Sequence, residues 1–453
     1  MKRYVSQFLD SWLADPRRKP LVVRGARQVG KTWLVRDLAR RSGRELVELN
    51  IERRPELAEH FHVNDPARVL ADLAADLGVR FDPQKTLLFI DEIQARPELL
   101  SFLRWFHEDA PDLPVVVAGS LLDFALGDHQ FSMPVGRISY CHVEPVSFYE
   151  FLDAGGHEPL REALMESAGR LELSPRLHQR SMELLREYFL IGGLPEVVSD
   201  WIEHRDTERR LQLQRDLLAT YADDFSKYRD RIPVDMLRRV VDAVARGLGG
   251  RFMYSHIEAD TSHRNLRKAF DLVQLARICH RVEHTAARGL PLGAESRPEL
   301  FKAILLDVGL VSVRLGLSQL DMRDLSSLLW ANSGGLAEQF VGQHLRLLTR
   351  PFEEPRLYYW QRTDGRQAEI DYIIQIGPRI VPVEVKAGSA GAMKSLHLFM
   401  QSRNLPTAVR LDANLPSRQE VAVRTTEGVP VEFSLVSLPL YMVESVPTAL
   451  GDG

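Results

Sequence analysis

The chain has 453 residues, 45% of them apolar and 26% charged, with a formal net charge of −4. That length exceeds one ordinary core and implies about two to four domains, while the composition is that of a soluble globular protein. The slightly acidic total excludes a global basic field for nucleic acid, and no apolar run approaches the ~20 residues of a membrane span.

The two cysteines, Cys141 and Cys279, lie far apart without a metal-ligand spacing and read as buried thiols of a reducing cytosol, so a cytoplasmic protein is expected. At the N-terminus, Val5, Phe8, Leu9, Trp12 and Leu13 recur among charged residues, which predicts an amphipathic helix rather than a signal peptide. Pro20–Arg24 then reads as a short buried strand. It runs into Gly25-Ala26-Arg27-Gln28-Val29-Gly30-Lys31-Thr32, a match to the phosphate-binding pattern of Gly, four variable residues, Gly, Lys and Thr. Trp33, Leu34, Val35, Leu38 and Ala39 follow at helical spacing. Strand, loop and helix in that order aim loop N–H groups and the positive helix end at phosphates. Gly25, Arg27, Gln28, Val29, Gly30, Lys31, Thr32 and Trp33 are therefore the expected ATP contacts, with the Lys31 charge on the phosphates and the Thr32 hydroxyl on Mg²⁺.

A second strand is expected at Leu46–Asn50. The next, Thr86-Leu87-Leu88-Phe89-Ile90, ends in Asp91-Glu92 at the carboxyl edge, where doubly wound sheets bind ligands. Asp91 is expected to serve the metal and Glu92 to polarise the attacking water. Val115–Ala118 is a further buried strand ending in Gly119-Ser120, with Ser120 placed to face the terminal phosphate. Gly136-Arg137 precedes a fifth strand around Ile138–Val143, and Arg137 is a candidate arginine finger, in cis or from a neighbouring subunit of an oligomer.

From about Asp206 to Trp330 helical periodicity dominates, with Pro233 resetting the register. Helices followed by two strands, Cys279–Val282 and Lys302–Asp307, predict a winged-helix arrangement. Arg264, Arg267 and Lys268 on the helix ending at Leu275 offer themselves to DNA phosphates.

In the last third, Ala368-Glu369-Ile370-Asp371-Tyr372-Ile373-Ile374 and Ile380-Val381-Pro382-Val383-Glu384-Val385-Lys386 flank the turn around Gly377-Pro378. If Gln375 lies opposite Ile380, then Asp371 pairs with Glu384 and Glu369 with Lys386, all on one face of the hairpin. Opposed carboxylates repel unless a cation intervenes, and Mg²⁺ or Mn²⁺ would answer that need. The segment from Asp412 onward alternates only weakly.

Together, the Gly25–Thr32 loop, Phe89-Ile90-Asp91-Glu92-Ile93-Gln94, Gly119-Ser120, Gly136-Arg137 and Pro145-Val146-Ser147-Phe148 resemble a large prokaryotic group of AAA-like P-loop ATPases. Members carry a C-terminal domain long described as uncharacterised. Leu190-Ile191-Gly192-Gly193-Leu194-Pro195 and Asp307-Val308-Gly309-Leu310 match the group as well. The resemblance implies an additional-strand ATPase core and, by analogy with the Gly-x-Pro element of signalling ATPases, places Pro195 against the adenine. The acid, hairpin and Glu-x-Lys pattern resembles restriction-endonuclease-like folds of the PD-(D/E)XK group. That likeness implies metal binding by Asp371 and Glu384, a further acid at Glu338, and a water-activating Lys386; Glu369-Ile370 rather than Pro precedes Asp371.

The expected fold is thus α/β: an additional-strand P-loop core with a parallel sheet over 1–205, a helical and winged-helix region over 206–330, and a small restriction-endonuclease-like domain with a tail over 331–453. The expected activity is Mg²⁺-dependent ATP hydrolysis coupled to the C-terminal module. That module would cut DNA, or the whole would act as a slow nucleotide switch that recognises a protein partner.

Overall fold

The structure, a computed structural model of the whole chain, describes residues 1–120, 122, 134–224, 232–257, 263–317, 334–362, 368–388 and 393–451. Its first sheet contains β1 (Leu21–Arg24), β2 (Glu45–Asn50), β3 (Thr86–Asp91), β4 (Val115–Ala118) and β5 (Ser139–His142). The strands are all parallel in the order β2-β3-β4-β1-β5. The additional strand β4 separates the loop-bearing β1 from β3, as the expected core requires. Val22, Leu88, Ile90 and Val117 enter one apolar cluster, and Leu21, Val23, Leu87, Phe89, Val116 and Ala118 the other. Alternate residues thus pack on opposite faces, which is why these strands read as unbroken apolar runs.

The N-terminal helix forms over Val5–Ala14 and buries Leu9 and Trp12. The helix Lys31–Ser42 buries Leu34, Val35, Leu38 and Ala39, but Trp33 is 43% exposed and lies outside the core stripe it was grouped with.

The second sheet comprises β6 (Cys279–Thr285), β7 (Ser296–Leu305), β8 (Leu357–Gln361), β9 (Glu369–Ile376), β10 (Arg379–Val385), β11 (Thr407–Asp412), β12 (Ser417–Arg424) and β13 (Pro430–Pro439). Its order is β12-β13-β11-β10-β9-β8-β6-β7, mixed in direction. This corrects the winged-helix expectation. The β6–β7 hairpin is no free wing, because β6 pairs in parallel with β8 and carries the sheet across the boundary expected at 330. The described part of the middle region contributes helices Thr207–Asp224, Val234–Arg246 and His263–Leu275; Trp330, expected at its end, lies outside the described residues.

The weakly patterned C-terminal segment is also no loose tail. β12 and β13 form a hairpin, and Leu440, Tyr441, Met442 and Val443 are wholly buried. One continuous apolar cluster runs from Leu34 and Val146 through Tyr188 and Phe340 to Val383 and Tyr441. The two sheets are therefore joined by shared core rather than by a linker. Both cysteines are buried free thiols. Among the described residues no helix is long and apolar enough to cross a membrane.

Candidate functional site

The phosphate loop leaves the carboxyl end of β1 and closes on Gly30, whose φ of 92° caps the helix Lys31–Ser42. Gln28 also takes a positive φ, 65°. A Cβ at Gly25 would stand 2.5 Å from the Val143 carbonyl oxygen, so only glycine lets the loop pass the chain leaving β5. Val29 is buried, and its carbonyl accepts from the buried Arg3 guanidinium at 3.2 Å. Lys31 is buried beneath the loop, where Nζ donates to the carbonyls of Gly25 (3.0 Å) and Ala26 (2.7 Å). Burial brings its ammonium down to about 8.

The sheet order sets the acidic partner beside this loop. The Thr32 hydroxyl donates to Asp91 Oδ2 at 2.9 Å, and burial pushes the Asp91 carboxyl up to about 6. Glu92 follows in the left-handed region at φ 52°. Its Oε2 accepts from Gln94 Nε2 at 2.6 Å and from the Ser120 hydroxyl at 3.3 Å. Ser120 thus addresses the carboxylate expected to act on water. Gln94 packs closely over Gly119: a Cβ there would lie 2.3 Å from Gln94 Oε1, so the Gln94 amide would have to shift.

Arg27 turns from the loop to an ion pair with Asp224 on the helix Thr207–Asp224, whose Tyr221 hydroxyl donates to the Arg27 carbonyl at 2.8 Å. Pro195 opens the helix Pro195–His204 against the loop itself, its Cγ 3.5 Å from where a Gly30 Cβ would be. Arg137, expected as a finger in cis or from a neighbour, stands away from the loop. It precedes Ser139, which is level with Leu21 at the amino end of β1, and it pairs with Glu108 at 3.1 Å. The phosphate loop follows Arg24 at the opposite end, so Arg137 cannot reach phosphates in its own subunit.

The Gly192–Pro195 turn connects this site to the rest of the chain. The buried Asp307 carboxylate accepts from the Gly193 amide at 2.5 Å and from the Leu310 amide at 3.2 Å, so it both caps the helix Val308–Arg314 and holds the turn. Burial raises Asp307 to about 6. Gln343, on the helix Gly334–Leu347, accepts from the Val308 amide at 2.9 Å and donates to Tyr188 Oη at 3.2 Å. On the same helix, the His344 ring hydrogen-bonds the Phe340 carbonyl at 2.8 Å and accepts from the Phe148 amide at 2.9 Å. Arg346 makes a two-pronged pair with Glu144 at 2.9 and 2.7 Å.

The β9–β10 hairpin has the expected register, Gln375 opposite Ile380 and onward to Tyr372 opposite Val383. Asp371 Oδ2 accepts from the Val385 amide at 2.8 Å, and Lys386 Nζ lies 2.5 Å from Glu384 Oε1. Glu338, Asp371 and Glu384, expected to hold a metal, stand beside a cation of the chain itself. Lys302 of β7 projects its ammonium among the carboxylates, 3.0 Å from Glu338, paired with Glu369, and 3.6 Å from Asp371. Among the described residues no group of His, Cys, Asp or Glu is arranged to hold a metal ion. Burial, then the charge of Asp371, pushes Glu338 and Glu384 above the usual carboxylate range.

Lys302 and Gln94 were not singled out as site residues by sequence reasoning. Gln94 follows the Asp-Glu pair directly, a usable signal. Lys302 carried only its place on a strand before Asp307, because its carboxylate partners come from distant segments.

Residues 17–152 match a family described as an AAA domain. Residues 182–321 and 333–441 match two domains of unknown function, DUF8612 and DUF4143. No curated protein matches the chain. Among solved structures, a Walker-type ATPase of Pyrococcus abyssi is similar at 17% identity, covering 68% of this chain and 94% of that one, with a TM-score of 0.42. The ORC2 protein of Aeropyrum pernix, in its ADPNP–ADP complexes, is 11% identical over 70% of this chain and 92% of its own, with a TM-score of 0.32. The RuvB Holliday junction branch migration motor of Thermotoga maritima is 15% identical over 62% and 90%, with a TM-score of 0.29. The first of the two sheets, with its glycine loop, lies within the stretch that matches the AAA domain family.

Proposed function

We propose that the chain is a Mg²⁺-dependent ATPase whose nucleotide state is transmitted to its C-terminal module. The observation that carries this reading is the contact of the Thr32 hydroxyl with Asp91 beside a glycine loop underlaid by the buried Lys31. ATP and Mg²⁺ fit these residues. Gly25 and Gly30 keep the cradle free of side chains, and Thr32 and Asp91 are already side by side to hold the ion. When bound, Mg²⁺ supplies charge neutralisation at the phosphates.

Lys31 would exchange its loop carbonyls for phosphate oxygens, regaining there the charge stabilisation that burial removes. Glu92 would orient a water and take its proton, with Gln94 and Ser120 fixing the carboxylate. Two links support transmission. Arg27 is tied to Asp224 and Tyr221, and Pro195 rests on Gly30 in a turn anchored by Asp307. Arg137, exposed at the far end of the sheet, would act only on a neighbouring subunit of an oligomer.

Lys31→Ala should abolish ATP binding, and Glu92→Gln should retain binding while slowing hydrolysis at least a hundredfold, by analogy with the loss of a general base. Unchanged steady-state hydrolysis in both variants would refute the proposal.

A second reading, ATP-dependent DNA cleavage, draws on the chain order of helix Gly334–Leu347, β8, β9, β10, helix Lys394–Arg403 and β11, which is compatible with a restriction-endonuclease-like core. The exposed Arg264, Arg267 and Lys268 would meet DNA. The Lys302 ammonium among the carboxylates weighs against metal-dependent cutting and favours a module that recognises a partner.

A further inference from the structure

We propose that the C-terminal carboxylate cluster takes its cation from within the chain, and that Lys302 excludes divalent metal from a site its carboxylates would otherwise form.

Four acidic side chains reach the cluster from three separate segments: Glu338 from a helix, Glu369 and Asp371 from β9, and Glu384 from β10. A hard divalent ion needs several such oxygens converging on one point at about 2.0–2.6 Å. The point shared by Glu338, Glu369 and Asp371 is held by Lys302 Nζ, through three ion pairs. Lys302 is only 3% exposed, and its ammonium stands 5.5 Å above the Tyr359 ring, a second electron-rich face.

The fourth carboxylate is engaged separately and by one oxygen, since Glu384 Oε1 is taken by Lys386 while the buried Oε2 has no hydrogen-bond partner. Asp371 is held by the Val385 amide on its other oxygen. A metal ion entering this centre would have to displace a buried ammonium and would repel it while both remained. Lys302 also pins the β6–β7 hairpin: β7 carries it, and β9 and the helix Gly334–Leu347 supply its partners. The ion cluster thereby fastens the strands on either side of residue 330 to each other. Five residues further along the chain, Asp307 grips the Gly193 turn of the ATP site.

The C-terminal cluster can be probed without ATP hydrolysis. The test is Mn²⁺ binding to the full-length protein without nucleotide, with free Mn²⁺ followed by electron paramagnetic resonance. The wild type and Asp371→Asn should take up the same amount of Mn²⁺. Lys302→Ala should gain one site per chain, at least tenfold tighter than any in the wild type, and Lys302→Ala/Asp371→Asn should lose it. Lys302→Met keeps the buried stem and substitutes if the alanine variant does not fold. A wild-type Mn²⁺ site that Asp371→Asn removes would overturn the proposal, and so would a folded Lys302 variant that gains none. A wild-type site removed by Asp371→Asn overturns the proposal even if neither Lys302 variant folds. Adding Lys31→Ala to every protein should leave these results unchanged, which separates this inference from the ATPase reading.

Discussion

Removing the Glu144 charge tests whether the two sheets behave as one body. Glu144 follows β5, Arg346 lies on the helix Gly334–Leu347, both are buried, and their two-pronged pair is the main ionic contact between these segments. The guanidinium holds the Glu144 carboxyl at about 2 despite the opposing effect of burial. Set against an ordinary 4.5, that corresponds to about 3 kcal/mol, in line with the 3–5 kcal/mol usual when one partner of a buried pair is lost. Glu144→Gln should therefore destabilise the full chain by about 3 kcal/mol at pH 7, read by urea unfolding. Because the folded carboxyl titrates below the unfolded one, the contribution is complete above about 4.5 and is lost as pH falls toward 2. The gap between variant and wild type should close over that window. Adding Arg346→Met to Glu144→Gln should recover stability, since much of the single-variant cost is an orphaned buried guanidinium. A Glu144→Gln protein within about 1 kcal/mol of wild type at pH 7, or a gap that does not narrow in acid, would refute the reasoning.

Asp91 predicts the acid limb of activity. Burial raises its carboxyl to about 6, so the proton it takes up below that pH competes with metal, and hydrolysis at fixed Mg²⁺ should fall about tenfold per pH unit below 6; a flat profile to pH 5 would contradict the assignment. Lys31 predicts a linked proton. Its ammonium, lowered to about 8, is partly neutral at pH 8.5 before nucleotide binds, and phosphates favour the charged form, so binding should take up protons. Calorimetry in buffers of different ionisation enthalpy would measure this, and no uptake at pH 8.5 would rule it out.

The strand, loop and helix of the proposed ATP site were legible in sequence because their pattern is local. Gly25 to Thr32 is one unbroken loop, and β3 ends on Asp91-Glu92 because an apolar strand must surface where its ligands are. The hairpin register followed from the period-two pattern and the Gly377-Pro378 turn. What failed did so where a residue's partner lies far along the chain. For Arg137, expected as a finger in cis or from a neighbour, only the parallel pairing of β5 with β1 shows that it lies at the end of the sheet away from its own phosphate loop. The β6–β7 hairpin looked like a wing until β8 paired with it. The C-terminal segment read as a tail because β12 is exposed or half-buried along both faces, which removes the alternation by which a strand is recognised.

Sequence alone determined where the glycine loop and the acidic strand end would lie, since backbone geometry and residue type at fixed spacing suffice for a loop and a strand end. The tertiary structure decided what neutralises the second set of carboxylates. Glu338, Glu369, Asp371 and Lys302 come from separate segments, and electrostatics acts through space, so whether that charge is met by a metal or by an ammonium depended on where β7 packs.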